Sequence, residues 1–305
     1  MTVRHVVITD VGPRDGLQNQ RKILTVEQRT DLIEAIAASG VPQIEVGSFV
    51  SHKAVPAMAA TEQVFIELTN RSFTTPTLAL IPNMKGYELA RDAGAKMVTM
   101  VLYASEGMAQ KNAGMSMAET EAVTLDILAL AKHDDITVIA TIAVAFTCPF
   151  DGPTAPSIVT KIAAKFLQAG AYQVVLADTI GAAHPQQVRD LCATLVGSHG
   201  AEKLGCHFHD TRAMGLANVY AALESGIRRF DSSIAGLGGC PFAPGASGNV
   251  ATDDIAMMLQ QMGFETGIDL KKLMLASDLA QKLTGTAPGG RAKAWLRGHL
   301  EKQAS

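Results

Sequence analysis

Residues 136–145 read ITVIATIAVA. The run carries no charge, is rich in β-branched side chains and shows no polar alternation. That is the pattern of a strand covered on both faces, as in a parallel sheet flanked by helices. Working outward, the segment before it (117–133) has a helical pattern opened by Ser116-Met117-Ala118-Glu119, a capping box. The segment after it (156–168) is helical again. The same alternation spans most of the chain. Strands are expected at 5–9, 42–48, 76–81, 96–103, 136–145, 172–177, 203–209 and 229–234. Helical patterns follow near 26–38, 54–67, 84–93, 117–133, 156–168, 185–196, 214–224 and 251–261. Eight strand–helix units in this order predict an α/β protein built as a closed (β/α)8 TIM barrel.

Local signals agree. Thr25-Val26-Glu27-Gln28 is a second capping box. Ser39-Gly40, Ala93-Gly94, Ala169-Gly170 and Ser225-Gly226 each end a helix on glycine shortly before a strand. An open doubly wound sheet would place a glycine-rich phosphate turn after the first strand. The segment there is Val11-Gly12-Pro13-Arg14-Asp15-Gly16, with no third glycine opening a helix. After residue 262 no ninth strand is visible. Residues 268–283 and 290–302 read as extra C-terminal helices, so 1–305 is expected to be one catalytic domain with 262–305 appended.

Composition narrows the function classes. The chain has 305 residues, 48% apolar and 18% charged, with a net charge of −3. No Lys/Arg block gives a nucleic-acid footprint, and no apolar run is long enough to span a bilayer. Nucleic-acid and membrane partners are therefore not expected. Cys148, Cys192, Cys206 and Cys240 are widely spaced with no C-x-x-C pair, which suits reduced thiols. No secretory or transit segment is visible before His5–Thr9 and Gln303-Ala304-Ser305 does not read as a peroxisomal signal, so none is expected. A cytoplasmic setting is expected.

Active sites of such barrels form at the C-terminal ends of the strands, and reactive side chains gather there. Arg14 and Asp15 follow strand 1, Glu45 lies in strand 2 and Asp178 ends strand 6. His207 and His209 lie on strand 7, followed by the loop 236–249 around Cys240. Side chains at i and i+2 of a strand share a face. The two histidines could therefore share a cation with Asp15, or simply be hydrogen-bonded in a polar barrel mouth. Asn249 could add a carbonyl oxygen. This donor set favours Mg²⁺ or Mn²⁺ without excluding Zn²⁺ or Co²⁺. The loop, rich in glycine, reads either as a flexible connection with an incidental thiol or as a lid bringing Cys240 to substrate. Arg14–Asp15 could be a solvated pair or a fixed guanidinium for a developing enolate. Glu45 reads as structural or orienting. Asp178 reads as a helix cap or a catalytic group.

VGPRDGLQN (11–19), HFHDT (207–211) and GLGGCPFAPGASGN (236–249) strongly resemble the hydroxymethylglutaryl-CoA lyase family. IEVGSFVSHKAVP (44–56), LADTIG (176–181) and DSS (231–233) extend the resemblance to nearly the whole chain. The resemblance implies a divalent cation on Asp15, His207, His209 and Asn249. It implies that Arg14 stabilises a thioester enolate, that Cys240 and His207 transfer protons, that Asp178 assists at the substrate hydroxyl, and that Glu45 supports the metal and Arg14. Substrate contacts are expected from Arg14, Gln18, Ser48, Thr141 and Asn112, with Ser105, Lys111 and Asn112 as coenzyme A candidates. The implied reaction is retro-Claisen cleavage of a 3-hydroxy-3-methylglutaryl-CoA-like thioester to acetyl-CoA and a keto acid, by a homo-oligomer (dimer or tetramer). A Claisen-condensing acyltransferase of the same superfamily is the alternative, and a non-catalytic barrel binding metal or acyl-CoA is a third reading. One departure stands out. Where the family usually has an Arg-Gly-Tyr-like stretch on strand 5, this chain has Ile139-Ala140-Thr141. A polar, aromatic wall becomes small and apolar, so a related branched 3-hydroxyacyl-CoA is a second substrate expectation. Gln20 stands where the family often has an acid.

Overall fold

A computed structural model describes residues 4–239, 248–286 and 290–304, except for side chains of 300, 301, 303 and 304. Eight parallel strands close into a barrel: β1 (Val7–Asp10), β2 (Gln43–Ser48), β3 (Thr77–Ile81), β4 (Met97–Tyr103), β5 (Thr137–Ala143), β6 (Gln173–Asp178), β7 (Leu204–Phe208) and β8 (Arg229–Ser232). Each strand pairs with its chain neighbours, and β8 pairs with β1 from Val7↔Arg229 to Asp10↔Ser232, which closes the ring. The expected (β/α)8 barrel is the observed fold.

Helices α1 (Val26–Ala38), α2 (Thr61–Asn70), α3 (Met84–Asp92), α4 (Glu106–Ala113), α5 (Met117–Asp134), α6 (Pro156–Gln168), α7 (Pro185–His199), α8 (Gly215–Glu224) and α9 (Thr252–Gln261) follow in chain order. Their buried faces pack on outward-facing strand residues such as Ile8, Ile44, Val98, Ile142, Leu176 and Phe230 in one continuous core. Both capping boxes form, at Thr25 and Ser116. Gly40, Gly94, Gly170 and Gly226 all adopt positive φ between 86° and 102°, the conformation that lets each chain turn from helix to strand without a Cβ clash. Beyond α9, α10 (Leu270–Thr284) lies against α1, with Asp269 N–H donating to Ser39 C=O at 2.7 Å. α11 (Lys293–Ala304) follows, so two helices stand where the extra C-terminal ones were expected.

Three elements differ from the sequence reading. The expected helix over 54–67 is a short 3₁₀ turn at Pro56–Met58 followed by α2. Ala60 in the left-handed conformation (φ 57°) separates the two. α4, read from the sequence as loop, is a short helix capped by Ser105. The expected strand 136–145 ends at Ala143 because Val144 turns to φ 51°. Its N–H donates to Thr179 Oγ1 and its C=O accepts from Thr154 Oγ1. Such a backbone is costly for a β-branched residue unless its surroundings hold it.

Candidate active site

At the C-terminal end of β1 the chain makes one wide turn over Gly12–Gly16, in which Val11 C=O accepts from the N–H groups of Arg14 and Gly16. Turns of this kind recur at functional sites. Close packing requires the two glycines. A Cβ on Gly12 would stand 2.7 Å from Asp10 Oδ1 and from the Ile234 side chain. One on Gly16 would stand 2.7 Å from Ser233 Oγ. The turn presses onto the segment after β8 and presents Arg14 and Asp15 to the barrel mouth. A register shift in β2 between Glu45 and Gly47 lies beside it. Bulges of this sort re-aim side chains near active sites.

The contacts form one network. Arg14 Nε donates to Glu45 Oε2 at 2.5 Å and its Nη1 donates to Asp15 Oδ1 at 2.6 Å. Gln18 Nε2 donates to the same Asp15 oxygen at 2.8 Å, and Asn249 Nδ2 donates to Asp15 Oδ2 at 2.7 Å. Burial works against the Arg14 charge, but Glu45 and Asp15 outweigh it and hold the guanidinium more firmly protonated than usual. Burial pushes the Glu45 carboxyl up to about 7 against the pull of Arg14. Burial alone would also raise Asp15, but Arg14, His207 and His209 reverse this and lower it to about 2. Asp15 is thus an anion across the physiological range.

His207 lies on β7 and His209 just past its end, where it bridges to Asn249. Their rings face the same mouth, with centroids 5.2 Å apart. Asp15, His207 and His209 are all buried, and each offers a ligand atom within 4.8 Å of the others. Burial, then His207 and Arg14, lower His209 to about 4, so it is neutral at pH 7. Burial would lower His207 too, but its hydrogen bond to Asp231 and the charges of Asp231 and Asp15 carry it upward instead. Among the buried side-chain atoms without a partner at the site are Glu45 Oε1, His209 Nδ1 and Asn249 Oδ1. A buried acceptor with no donor is costly, and a divalent cation would satisfy the Asn249 oxygen. An ionised carboxylate, two imidazoles and an amide oxygen fit a divalent cation in kind.

Below the rim lies a cavity of about 470 Å³ that descends into the barrel. Arg14, Asp15, Gln18, Glu45, Asn112, Thr141, His207 and His209 all border it. Ser48 is buried but does not. Asp178 is also absent from the cavity wall. Its two carboxylate oxygens accept from the N–H groups of Ala182 and Ala183, and it serves as a buried clamp on the loop after β6. Ser105 caps α4 and donates to Asp151 Oδ2 at 2.6 Å, while Lys111 is exposed on α4 away from the cavity lining. Cys240 lies outside the described residues. Sequence reasoning missed Asp231 as a site residue. It lines the cavity, and its Oδ2 lies 3.2 Å from His207 Nδ1. The DSS segment (231–233) carries part of the resemblance, but the role of its aspartate emerges only when the β7–β8 register sets it opposite His207.

A family model described as HMGL-like matches residues 5–280. The chain belongs to the HMGL-like family. The hydroxymethylglutaryl-CoA lyase of Pseudomonas mevalonii is 41% identical over 287 residues, covering 94% of this chain and 95% of the relative. The (R)-citramalyl-CoA lyase of Chloroflexus aurantiacus is 43% identical over 282 residues, covering 90% and 89%. The crystal structure of hydroxymethylglutaryl-CoA lyase from Pseudomonas aeruginosa superposes with a TM-score of 0.93 at 38% identity, covering 98% of this chain and 99% of that one. This HMGL-like chain has the closed barrel and, at its mouth, the Asp15/His207/His209 cluster. Among the described residues no helix is long and apolar enough to cross a membrane.

Proposed function

We propose that this chain is a metal-dependent carbon–carbon lyase acting on a 3-hydroxy-3-methylglutaryl-CoA-like thioester. The products are acetyl-CoA and a keto acid, which is acetoacetate when the acyl group is hydroxymethylglutaryl. The observation that carries the reading is the convergence of Asp15, His207 and His209 on one rim, with Arg14 bonded to that aspartate.

Asp15, His207, His209 and Asn249 would hold the cation, which when bound lowers the pKa of a nearby hydroxyl and offsets negative charge on oxygen. The protein residues then have distinct tasks. A base takes the proton from the tertiary hydroxyl. The O–H electron pair forms the ketone, and the breaking C2–C3 bond sends its pair into the thioester enolate. Finally an acid protonates the enolate carbon. Arg14 is placed to stabilise the enolate oxygen. It is held charged and fixed by two carboxylates, and its Nη2 makes no hydrogen bond among the described residues. With His207 Nδ1 held by Asp231 and its Nε2 left as the ligand atom, neither ring nitrogen would be free to take the proton, so the base falls to another group. Glu45 suits it: it lines the cavity, its Oε1 has no partner, and its carboxyl sits at about 7. Cys240 on the 236–249 loop is proposed as the carbon acid. A cytoplasmic setting and a homo-oligomer remain part of the proposal.

Citramalyl-CoA is the second substrate reading, supported by the 43% identical relative. Purified protein with Mn²⁺ or Mg²⁺ should release acetyl-CoA and acetoacetate from hydroxymethylglutaryl-CoA, and a chelator should stop it. Release of free CoA from acetyl-CoA plus a keto acid, with no lyase activity, would replace this reading with condensation.

A further inference from the structure

One wall of the cavity mouth belongs to a part of the fold with its own small core. Tyr103, Met108, Ala109, Ala143, Val144 and Cys148 form a buried cluster separate from the main one. The cluster joins the ends of β4 and β5 to α4 and to a hairpin of two short strands, Thr147–Cys148 and Gly152–Pro153, paired antiparallel. From α4 and the turn after it, Met108, Asn112, Ala113 and Met115 border the cavity, and Tyr103 joins them. The Tyr103 hydroxyl accepts from Asn112 Nδ2 at 2.8 Å. Residues 147–153 do not border the cavity.

The hairpin is nonetheless fastened to α4. Asp151 Oδ2 accepts from Ser105 Oγ at 2.6 Å and from Gly107 N–H at 2.8 Å. Ser105 Oγ in turn accepts from Met108 N–H at 3.2 Å, and Cys148 Sγ lies 2.9 Å from the same oxygen. Two N–H groups in the first turn of α4, which no helical carbonyl can serve, are thus satisfied by Asp151 and Ser105. The contact is close. A Cβ on Gly107 would stand 2.5 Å from Asp151 Oδ1 and 2.9 Å from Phe150 Cβ. The base of the hairpin is tied to the barrel through Val144, held at φ 51° by the hydroxyls of Thr179 and Thr154.

α4 has eight residues, of which only Met108 and Ala109 are buried. A helix this short is marginal without outside support. Its cavity face depends on whatever holds its first turn, and that is the hairpin.

Resting on the lyase reading above, we infer that Asp151 is a positioning residue for thioester binding. Acting through Ser105 and Gly107, it fixes α4 so that Met108, Asn112 and Met115 stand ready for the arm of coenzyme A beyond the sulfur. That arm is an uncharged chain of methylenes and amides. The wall offers it thioether and methyl groups, one side-chain amide and one phenol. Ordering this wall in advance removes the cost of ordering it on binding. Ser105, a coenzyme A candidate from the resemblance, acts through the helix it caps.

The test is calorimetric titration of acetyl-CoA into the Mn²⁺-loaded chain, with steady-state kinetics beside it. Asp151→Ala should raise both the acetyl-CoA dissociation constant and KM by about tenfold, the worth of one hydrogen bond. In the same variant kcat should fall less than about threefold and Mn²⁺ affinity should not change, because the lost support lies in α4 and away from the rim. Asp151→Asn keeps an oxygen able to accept from both donors and should restore most of the affinity. Gly107→Ala is an independent variant. Alanine is the better helix former, so a purely helical role predicts binding as tight or tighter, whereas the clash with Asp151 predicts weaker binding. Unchanged acetyl-CoA affinity in Asp151→Ala, or a loss of kcat and Mn²⁺ binding in step with it, overturns the inference. So does a natural chain that binds no acetyl-CoA. Weakened acetyl-CoA binding in both variants of a chain that cleaves no hydroxyacyl thioester would end the lyase reading and leave the positioning role of Asp151 standing.

Discussion

His207 Nδ1 lies 3.2 Å from Asp231 Oδ2, across the β7–β8 ladder that sets the two residues side by side. The contact fixes the imidazole and leaves its Nε2 for the rim. Partners of this kind orient a ligand and raise its basicity. Asp231→Asn is expected to weaken Mn²⁺ binding by about 10- to 100-fold while leaving the fold intact. Calorimetric titration checks this, and unchanged affinity would remove Asp231 from the site.

Arg14 is expected to act on the rate more than on binding. Arg14→Ala should lower kcat by about 100- to 1,000-fold, the usual effect of losing one oxyanion donor. Arg14→Lys should recover little, because an ammonium cannot reproduce the fork that meets Glu45 and Asp15 together. Steady-state kinetics on both variants decide this. A rise confined to KM would assign Arg14 to substrate binding alone.

Asp178 presents the opposite case. Both its oxygens are taken by backbone N–H groups at 2.8–3.1 Å. Asp178→Asn should therefore cost about 1–3 kcal/mol of stability, with kcat reduced less than tenfold. A thousandfold loss of kcat at unchanged melting temperature would restore the role at the substrate hydroxyl that the family resemblance implies.

The pH dependence of stability has a local source away from the metal ligands. Asp253 accepts from Gly290 N–H at 2.9 Å, and burial raises its pKa from 3.8 to about 6. A carboxyl raised in the folded state holds its proton more tightly there than in the unfolded chain. It therefore stabilises the fold fully below about pH 4, and that contribution is lost as pH rises through about 6. Asp253→Asn removes the titration. The stability of the natural chain relative to Asp253→Asn should be greater at pH 4.5 than at pH 7.5 in urea unfolding. A difference that does not change with pH contradicts the assignment.

The barrel was legible because burial on both faces forces apolar runs such as Ile136–Ala143, and capping boxes mark helix starts at Thr25 and Ser116. The segment 54–67 misled because its apolar spacing is helical, while the break comes from Ala60 at φ 57°, a conformation alanine does not advertise. α4 was missed because its one buried face is short, built from Met108 and Ala109. At the site, neighbours in sequence were readable: Arg14 with Asp15, and His207 with His209. Asp178 was readable as a candidate, a cap or a catalytic group, but not its two loop amides, and Asp231 was not read as a site residue, because its defining partner, His207 across a strand pair, is supplied by the fold.

Metal stoichiometry tests the central claim most directly, by equilibrium dialysis of Mn²⁺ against the chelator-stripped chain. One ion per chain is expected, with binding lost in His209→Ala and in Asp15→Asn while circular dichroism shows both variants folded. Absence of binding in the natural chain, or full binding in both folded variants, would contradict a site built from Asp15, His207 and His209.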